Sequence, residues 1–183
     1  GTSERYGYPW LVNRAAGGIL DYAPVAGRFS LPPEQAVALT DETSPFFVLG
    51  GFEVLTAAMK AEPQITEAFR TGKGLAWGEH DAGLFHGTER FFRPGYEATL
   101  VNSWIPALDG AEAKLQQGAT VADIGCGHGI STVIMAHAYP SSRFTGYDYH
   151  EPSIERAREI AEAEGVANRV TFEVADAAAI PQT

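Results

Sequence analysis

A glycine-rich turn between an apolar strand and an apolar helix is the feature that most restricts how this chain can fold. The turn reads Asp123-Ile-Gly-Cys-Gly-His-Gly129, and the short segment Thr120–Ile124 leads into it. Glycines at such a turn let a ligand approach the backbone, and the following helix offers free N–H groups in its first turn. The pattern predicts a site for a nucleotide-type ligand and leaves several such ligands open.

The spacing and charge of this turn narrow the choice of ligand. The dinucleotide fingerprint G-x-G-x-x-G would need a glycine where Ile130 stands, which argues against an NAD-dependent oxidoreductase. The carboxylate of Asp123 would repel a pyrophosphate, but it would tolerate a sulfonium cofactor with an ammonium group. No Gly-Lys-Ser/Thr is present, so a Walker A phosphate loop is also excluded.

Strands and helices alternate from residue 119 onward, which is typical of a parallel α/β sheet. Strands are predicted at 120–124, 144–147 and 170–174, with helices at 130–139 and 152–164 between them. Right-handed crossovers would make this β-α-β-α-β unit half of a Rossmann-like doubly wound sheet. Because only its first three strands are present, we expect an incomplete sheet and a chain that is a fragment of a longer protein.

Acidic residues stand at the ends of all three predicted strands, where an α/β sheet binds its ligands. Asp123 ends the first strand, Asp148 the second, and Asp176 follows the third. A carboxylate in the position of Asp148 accepts hydrogen bonds from two ribose hydroxyls in folds of this class. A side-chain acceptor at Asp176 can meet the exocyclic amine of an adenine.

Three segments, VADIGCGHG, GYDYHEPSIERAR and VTFEVADAAAIP, resemble in order and spacing the first three motifs of class I S-adenosylmethionine-dependent methyltransferases. The resemblance implies S-adenosyl-L-methionine as cofactor. The glycines would surround its methionine part and Asp123 would lie near its amino group. Asp148 would bind the ribose, with Tyr149 or His150 beside the adenine ring. The implied cofactor-binding residues are Asp123, Gly125, Cys126, Gly127, Gly129, Asp148, Tyr149, His150, Asp176 and Ala177.

The region before residue 119 is predicted to be mainly helical. A helix at 8–19, a hairpin at 19–31 and a helix at 32–39 are typical of the second half of a winged-helix domain, although an unrelated α+β lobe stays open. Residues 75–95 mix aromatic, charged and glycine residues without periodicity, which predicts a loop or lid over a cavity. The segment EHDAGLFHGTERFFRPGY (79–96) resembles the connector of a bacterial methyltransferase subgroup with such an N-terminal domain, and the likeness covers nearly the whole chain. We therefore divide it into a truncated winged-helix-like domain (1–74), connector and lid helices (75–118) and the cofactor-binding half-domain (119–183).

Several cysteine, histidine and aromatic side chains that could suggest chemistry are given structural interpretations or left open. Cys126 is a small residue between glycines rather than a nucleophile, and His80 and His86 have no known metal-ligand spacing, so no metal site is predicted. His128 is interpreted as a solvent-edge loop residue and His137 as a partnered core histidine. A further group either forms core or closes over a sulfonium, which aromatic faces attract: Trp77, Phe91, Phe92 and Tyr96.

Charge and composition bear on the partners. The net charge is −10, and residues 1–110 and 111–183 each carry five more acidic than basic side chains, so nucleic acid is an unfavourable partner. The single cysteine fits a cytoplasmic protein, and no apolar run is long enough to span a membrane. We expect methyl transfer to a small-molecule acceptor by a homodimer, with an unknown catalytic base. The alternative is a winged-helix transcription regulator with a ligand-sensing methyltransferase-like domain.

Overall fold

The computed structural model describes residues 1–180; the last residues of the predicted cofactor domain, 181–183, lie outside the described part. The chain forms two compact units, residues 1–47 and 48–183. The predicted boundaries at residues 74 and 118 stay predictions. No helix in the described part is both long and apolar enough to cross a membrane.

The first unit contains helix α1 (Glu4–Ala16), an antiparallel hairpin of β1 (Asp21–Ala23) and β2 (Arg28–Ser30), and helix α2 (Pro33–Leu39). The predicted order of helix, hairpin and helix is thus confirmed. Helix α1 begins four residues earlier than predicted, so Pro9 lies inside the helix instead of in its first turn. An aromatic pair joins the two strands of the hairpin: Tyr22 of β1 stacks on Phe29 of β2 with ring centroids 4.6 Å apart.

The second unit begins with a helical layer, α3 (Leu49–Lys60), α4 (Glu62–Thr71) and α5 (Ala82–Thr99). A 3₁₀ turn (Trp77–Glu79) precedes α5, and a π-helical turn (Leu100–Trp104) follows it before α6 (Ala111–Gln117). Two glycines let α3 and α5 cross closely. A Cβ on Gly50 would lie 2.4 Å from the backbone nitrogen of Phe91, and one on Gly87 would lie 2.8 Å from Cβ of Glu53.

Helix α5 corrects the prediction of a loop or lid at residues 75–95. Its start is fixed by Asp81, whose carboxylate accepts a hydrogen bond from the Gly83 N–H at 2.9 Å. Gly87 occurs there because two helices must approach closely, and Pro94 is buried inside the helix. Gly87, one of the glycines that indicated a loop, therefore serves packing between helices.

The carboxy-terminal part is a three-stranded parallel sheet in the order β3-β4-β5. Strands β3 (Thr120–Ile124) and β5 (Val170–Val174) have the predicted bounds, and β4 (Arg143–Asp148) is two residues longer. Helices α7 (Ile130–Ala138) and α8 (Glu151–Ala163) connect the strands. The α/β part of the predicted fold is thus confirmed.

The core of the second unit lies between the sheet and helices α7 and α8. Phe144 and Phe172 come from adjacent strands and are each only 2% exposed. Removing such apolar surface from water is the main stabilising contribution to a fold of this kind. Other buried members of the cluster are Ile130, Val133, Ala136, Tyr139, Ile154, Ala157, Ile160, Val166 and Val170.

Candidate cofactor and acceptor site

A cavity of about 730 Å³ lies at the carboxyl ends of the strands, between the sheet edge and helix α5. This volume is within the usual range for small-molecule sites. One wall is a stripe of α5 residues at helical spacing: Phe85, Thr88, Glu89, Phe92 and Tyr96. The other wall is formed by the glycine-rich turn and the ends of β3 and β4. It includes Asp123, Gly125, Cys126, Gly127, His128, Asp148 and Tyr149.

The glycine-rich turn presents backbone to this cavity. Gly125 and Gly127 adopt left-handed conformations, with φ of 73° and 54°, and a Cβ on either would meet no atom within 4 Å. The N–H groups of Gly125 and Cys126 donate to the Tyr147 carbonyl at 2.7 and 3.0 Å, which ties the turn to β4. The open space beside two of its glycines fits a turn that a ligand approaches closely.

Gly129 lies in the same turn but has a different function. A Cβ built on it would lie 2.4 Å from Cζ of Phe172 and 3.0 Å from Cβ of Ala157. Gly129 does not line the cavity. Its absent side chain lets α7 approach the sheet, and a contact of Gly129 with the cofactor stays a prediction.

The carboxylate of Asp123 lines the cavity and is held from the side of α7. One of its oxygens accepts hydrogen bonds from the hydroxyls of Ser131 and Thr132, both at 2.7 Å. These two hydroxyls lie in the first turn of α7, so the helix start fixes the orientation of the carboxylate. Asp123 is thereby positioned to face a cationic group in the cavity.

Asp148 also lines the cavity, at the end of β4. Its two oxygens accept hydrogen bonds from the N–H groups of Gly127 and His150, both at 2.9 Å. Each carboxylate oxygen has more than one lone pair, so both retain capacity to accept further hydrogen bonds. The side chain therefore joins the glycine-rich turn to the end of β4 and still faces the cavity.

The remaining predicted residues divide into two groups. Tyr149 and Ala177 line the cavity as predicted. His150 does not line it; its ring stacks on Phe85 with centroids 4.1 Å apart, and its Nδ1 lies 2.7 Å from Oγ of Ser153. The place of Tyr149 or His150 beside an adenine stays a prediction. Asp176 does not line the cavity either; its carboxylate caps a 3₁₀ turn by accepting from the Ala178 N–H at 2.8 Å.

The Cys126 thiol is buried and lies near two carboxylates. Burial raises its pKa, and the negative charges of Asp123 and Asp148 raise the pKa further, to about 12. A thiol with such a pKa stays protonated at neutral pH and is a poor nucleophile. This supports the interpretation of Cys126 as a small residue of the turn.

A buried pair at Glu89 and His128 escaped the sequence analysis. Nδ1 of His128 lies 2.7 Å from one Glu89 oxygen, and Arg93 donates to the other at 2.6 Å. The side chains of His128 and Glu89 are only 12% and 11% exposed, so the prediction of a solvent-edge His128 is wrong. Burial alone would raise the pKa of Glu89, but the hydrogen bonds from His128 and Arg93 outweigh it and lower the pKa to about 2.

Three of the four predicted aromatic residues line the cavity: Trp77, Phe92 and Tyr96. The fourth, Phe91, lies outside the cavity lining, and a Cβ on Gly51 would lie 3.4 Å from its ring. Burial and the charge of Asp123 raise the pKa of the Tyr96 hydroxyl. The cavity thus combines carboxylates with aromatic surface, and its described lining contains no lysine or arginine.

His80, His86 and His137 are not among the residues that line the cavity. His86 is exposed and pairs with Glu53 at 2.9 Å, and His80 is not among the lining residues, so neither is placed to act as a base there. His137 is 49% exposed and pairs with Glu164 at 3.4 Å, which corrects its prediction as a core residue. Among residues 1–180 no group of three or more His, Cys, Asp or Glu side chains could hold a metal ion.

Comparisons with known proteins agree with this fold. The family model of a methyltransferase domain matches residues 115–183. A trans-aconitate 2-methyltransferase of Streptomyces coelicolor is 42% identical over 57 residues, which cover 31% of this chain and 19% of that protein. The chain thus spans less than a fifth of this curated relative.

Solved structures extend the likeness to almost the whole chain. The mitomycin 7-O-methyltransferase MmcR has a TM-score of 0.68 at 24% identity, over 96% of this chain and 53% of that one. A structure of PigF with SAH has a TM-score of 0.60 at 16% identity, over 93% and 52%. At these identities the likeness shows the fold, and the chain spans about half of each structure. Together, the family model and the curated relative show similarity to methyltransferase domains at residues 115–183, and the solved structures show the same fold.

Proposed function

We propose that this protein binds S-adenosyl-L-methionine in the cavity and transfers its methyl group to a small-molecule acceptor. The observation that carries the proposal is the arrangement of Asp123 and Asp148 at the ends of neighbouring parallel strands, beside a turn whose glycines leave open space. The PigF structure with SAH, the demethylated form of such a cofactor, has the same fold and supports this choice of cofactor.

The residues present fit this cofactor. The cavity is large enough, and its carboxylates suit a ligand with sulfonium and ammonium groups. A pyrophosphate would meet Asp123 without any lysine or arginine from the described lining. This charge pattern therefore favours a sulfonium cofactor over a dinucleotide.

Each wall has its own part in this proposal. Asp123 would attract the amino group of the methionine part, and the backbone at Gly125 and Gly127 would surround that part. Asp148 would accept hydrogen bonds from the ribose hydroxyls, with Tyr149 beside the adenine. The cofactor supplies the electrophilic methyl group. The aromatic stripe of α5 would exclude water and hold the acceptor in line with that group.

The acceptor and assembly follow the resemblance drawn from the sequence. A winged-helix-like N-terminal domain commonly dimerises in methyltransferases that act on small molecules, so we propose a homodimer. The single cysteine fits a cytoplasmic location for it. A DNA-binding regulator is not favoured, because α1 carries only Arg5 and Arg14 as basic residues, whereas a recognition helix needs several phosphate and base contacts.

Calorimetric titration with S-adenosylhomocysteine tests the proposal, with NADH as the control ligand. We expect micromolar binding of the first and none of the second. Asp148→Asn should weaken binding about tenfold or more, because it replaces a charged acceptor for the ribose by a neutral one. Asp109→Asn is the matched control, since Asp109 is exposed and does not line the cavity. Binding of NADH alone would overturn the proposal.

A further inference from the structure

The two walls of the cavity meet through one buried polar contact. Glu89 belongs to the α5 stripe, and His128 belongs to the glycine-rich turn. Their side chains are about nine-tenths buried and 2.7 Å apart. Since the other Glu89 oxygen accepts from Arg93, the carboxylate is fixed from both sides.

The glycine-rich turn needs such support because its glycines cost little to rearrange. The N–H groups of Gly125, Cys126 and Gly127 all donate to acceptors at the end of β4, which are the Tyr147 carbonyl and the Asp148 carboxylate. These bonds hold the turn from the side of the sheet. On the side of α5, the turn is held by the contact of His128 with Glu89.

We propose that Glu89 is a positioning residue for the cofactor: through His128 it holds the glycine-rich turn in its binding shape before the ligand arrives. The inference rests on the proposed function of the cavity. It also implies that the placement of α5, which lines the acceptor side, and the affinity for the cofactor depend on one another. A low pKa of the Glu89 carboxyl is consistent with a permanent negative charge at this contact.

Four variants separate positioning from general stability. Glu89→Gln removes the charge, and His128→Ala removes the donor. His128→Asn keeps a donor, because an asparagine amide nitrogen occupies nearly the place of Nδ1 in histidine. Glu97→Gln is the matched control, since Glu97 also lies on α5 and approaches Arg93 at 3.9 Å, but is half exposed and does not line the cavity.

Hydrogen–deuterium exchange of the peptide covering residues 123–131 measures how well the amides of the turn are protected in the absence of ligand. We expect its amides to exchange about tenfold faster in Glu89→Gln and His128→Ala, as for the loss of a hydrogen bond to a charged group. S-adenosylhomocysteine should bind about tenfold more weakly to both variants. His128→Asn should retain most of the protection and affinity, and the double variant Glu89→Gln/His128→Ala should be no worse than either single one.

The outcomes distinguish this inference from the proposed function. Unchanged exchange in both Glu89→Gln and His128→Ala overturns positioning, whatever the ligand does. Faster exchange with unchanged ligand affinity overturns it also, because the turn would then not need to be held for binding. If the unmodified protein fails to bind the ligand while the variants still loosen the turn, the cofactor assignment falls and the support of the turn by Glu89 stands.

Discussion

A side chain at Gly129 should destabilise the fold because the surrounding core leaves no room for it. The loss in the free energy of unfolding of Gly129→Ala measures this effect. A left-handed conformation costs a residue with a Cβ about 1–2 kcal/mol, and Gly129 has φ of 75°. The new Cβ would also overlap Phe172, whose ring is 2% exposed and cannot leave without repacking the core. Such overpacking costs about 1–3 kcal/mol more.

The matched control is Gly165→Ala, at the carboxyl end of α8. Gly165 has φ of 70°, but a Cβ on it would meet nothing within 4 Å. We therefore expect a loss of about 1–2 kcal/mol in the free energy of unfolding for Gly165→Ala and about 2–5 kcal/mol for Gly129→Ala. Urea denaturation followed by circular dichroism gives both values.

Replacing Phe172 by leucine tests the cause of the difference. Phe172→Leu alone should destabilise the protein, but it should destabilise the Gly129→Ala background less, because the smaller side chain leaves room for the new methyl group. Equal unfolding free energies for Gly129→Ala and Gly165→Ala, within about 0.5 kcal/mol, would refute the reasoning. Simple addition of the Gly129→Ala and Phe172→Leu losses would refute it as well.

Three further predictions concern the cavity. Gly127→Ala should cost about 1–2 kcal/mol of stability but should weaken S-adenosylhomocysteine binding about tenfold or more, measured by calorimetry, because its methyl group would project into the open space beside the turn. The folded pKa of Glu89, about 2, lies below its ordinary value of 4.5, so its contribution is present above pH 4.5 and lost as pH falls through 2. At pH 7 the free energy of unfolding of the unmodified protein should therefore exceed that of Glu89→Gln by about 1–3 kcal/mol. This difference should narrow between pH 4.5 and 2, and a difference that does not change with pH would contradict the prediction. The Cys126 thiol, with a pKa of about 12, should react with iodoacetamide at pH 8 far more slowly in the folded than in the urea-unfolded protein, as followed by mass spectrometry.

The sheet could be predicted closely from sequence because its signals are local. The apolar runs that form β3 and β5 are short and bounded by turn residues, and their bounds were confirmed. Asp123 lies near the end of β3 and Asp148 ends β4, so their shared place in the cavity was also foreseeable. The pattern of apolar residues and the positions of the strand ends were therefore enough to predict the sheet and these two carboxylates.

Helix α5 was missed because tertiary packing determines the meaning of its glycines. Gly87 is a helix breaker by propensity, yet here it permits the close crossing with α3 at Gly50. The contact between Glu89 and His128 was missed for a related reason, since the two residues are 39 positions apart and nothing in either neighbourhood indicates the other. Gly129 packs against the core, His150 stacks on an aromatic ring and Asp176 caps a turn. These roles likewise depend on partners that the residues' own sequence neighbourhoods do not show.

The two faces of α5 have a practical consequence for altering the acceptor of the proposed methyl transfer. The face with Phe85, Thr88 and Phe92 meets the cavity, while Gly87 and Phe91 on the opposite side meet α3. A combinatorial library can therefore randomise the first three positions while the crossing with α3 keeps the helix axis in place. Changes in reactivity from such a library would report on the shape of the cavity, because the scaffold that carries the varied side chains would remain constant.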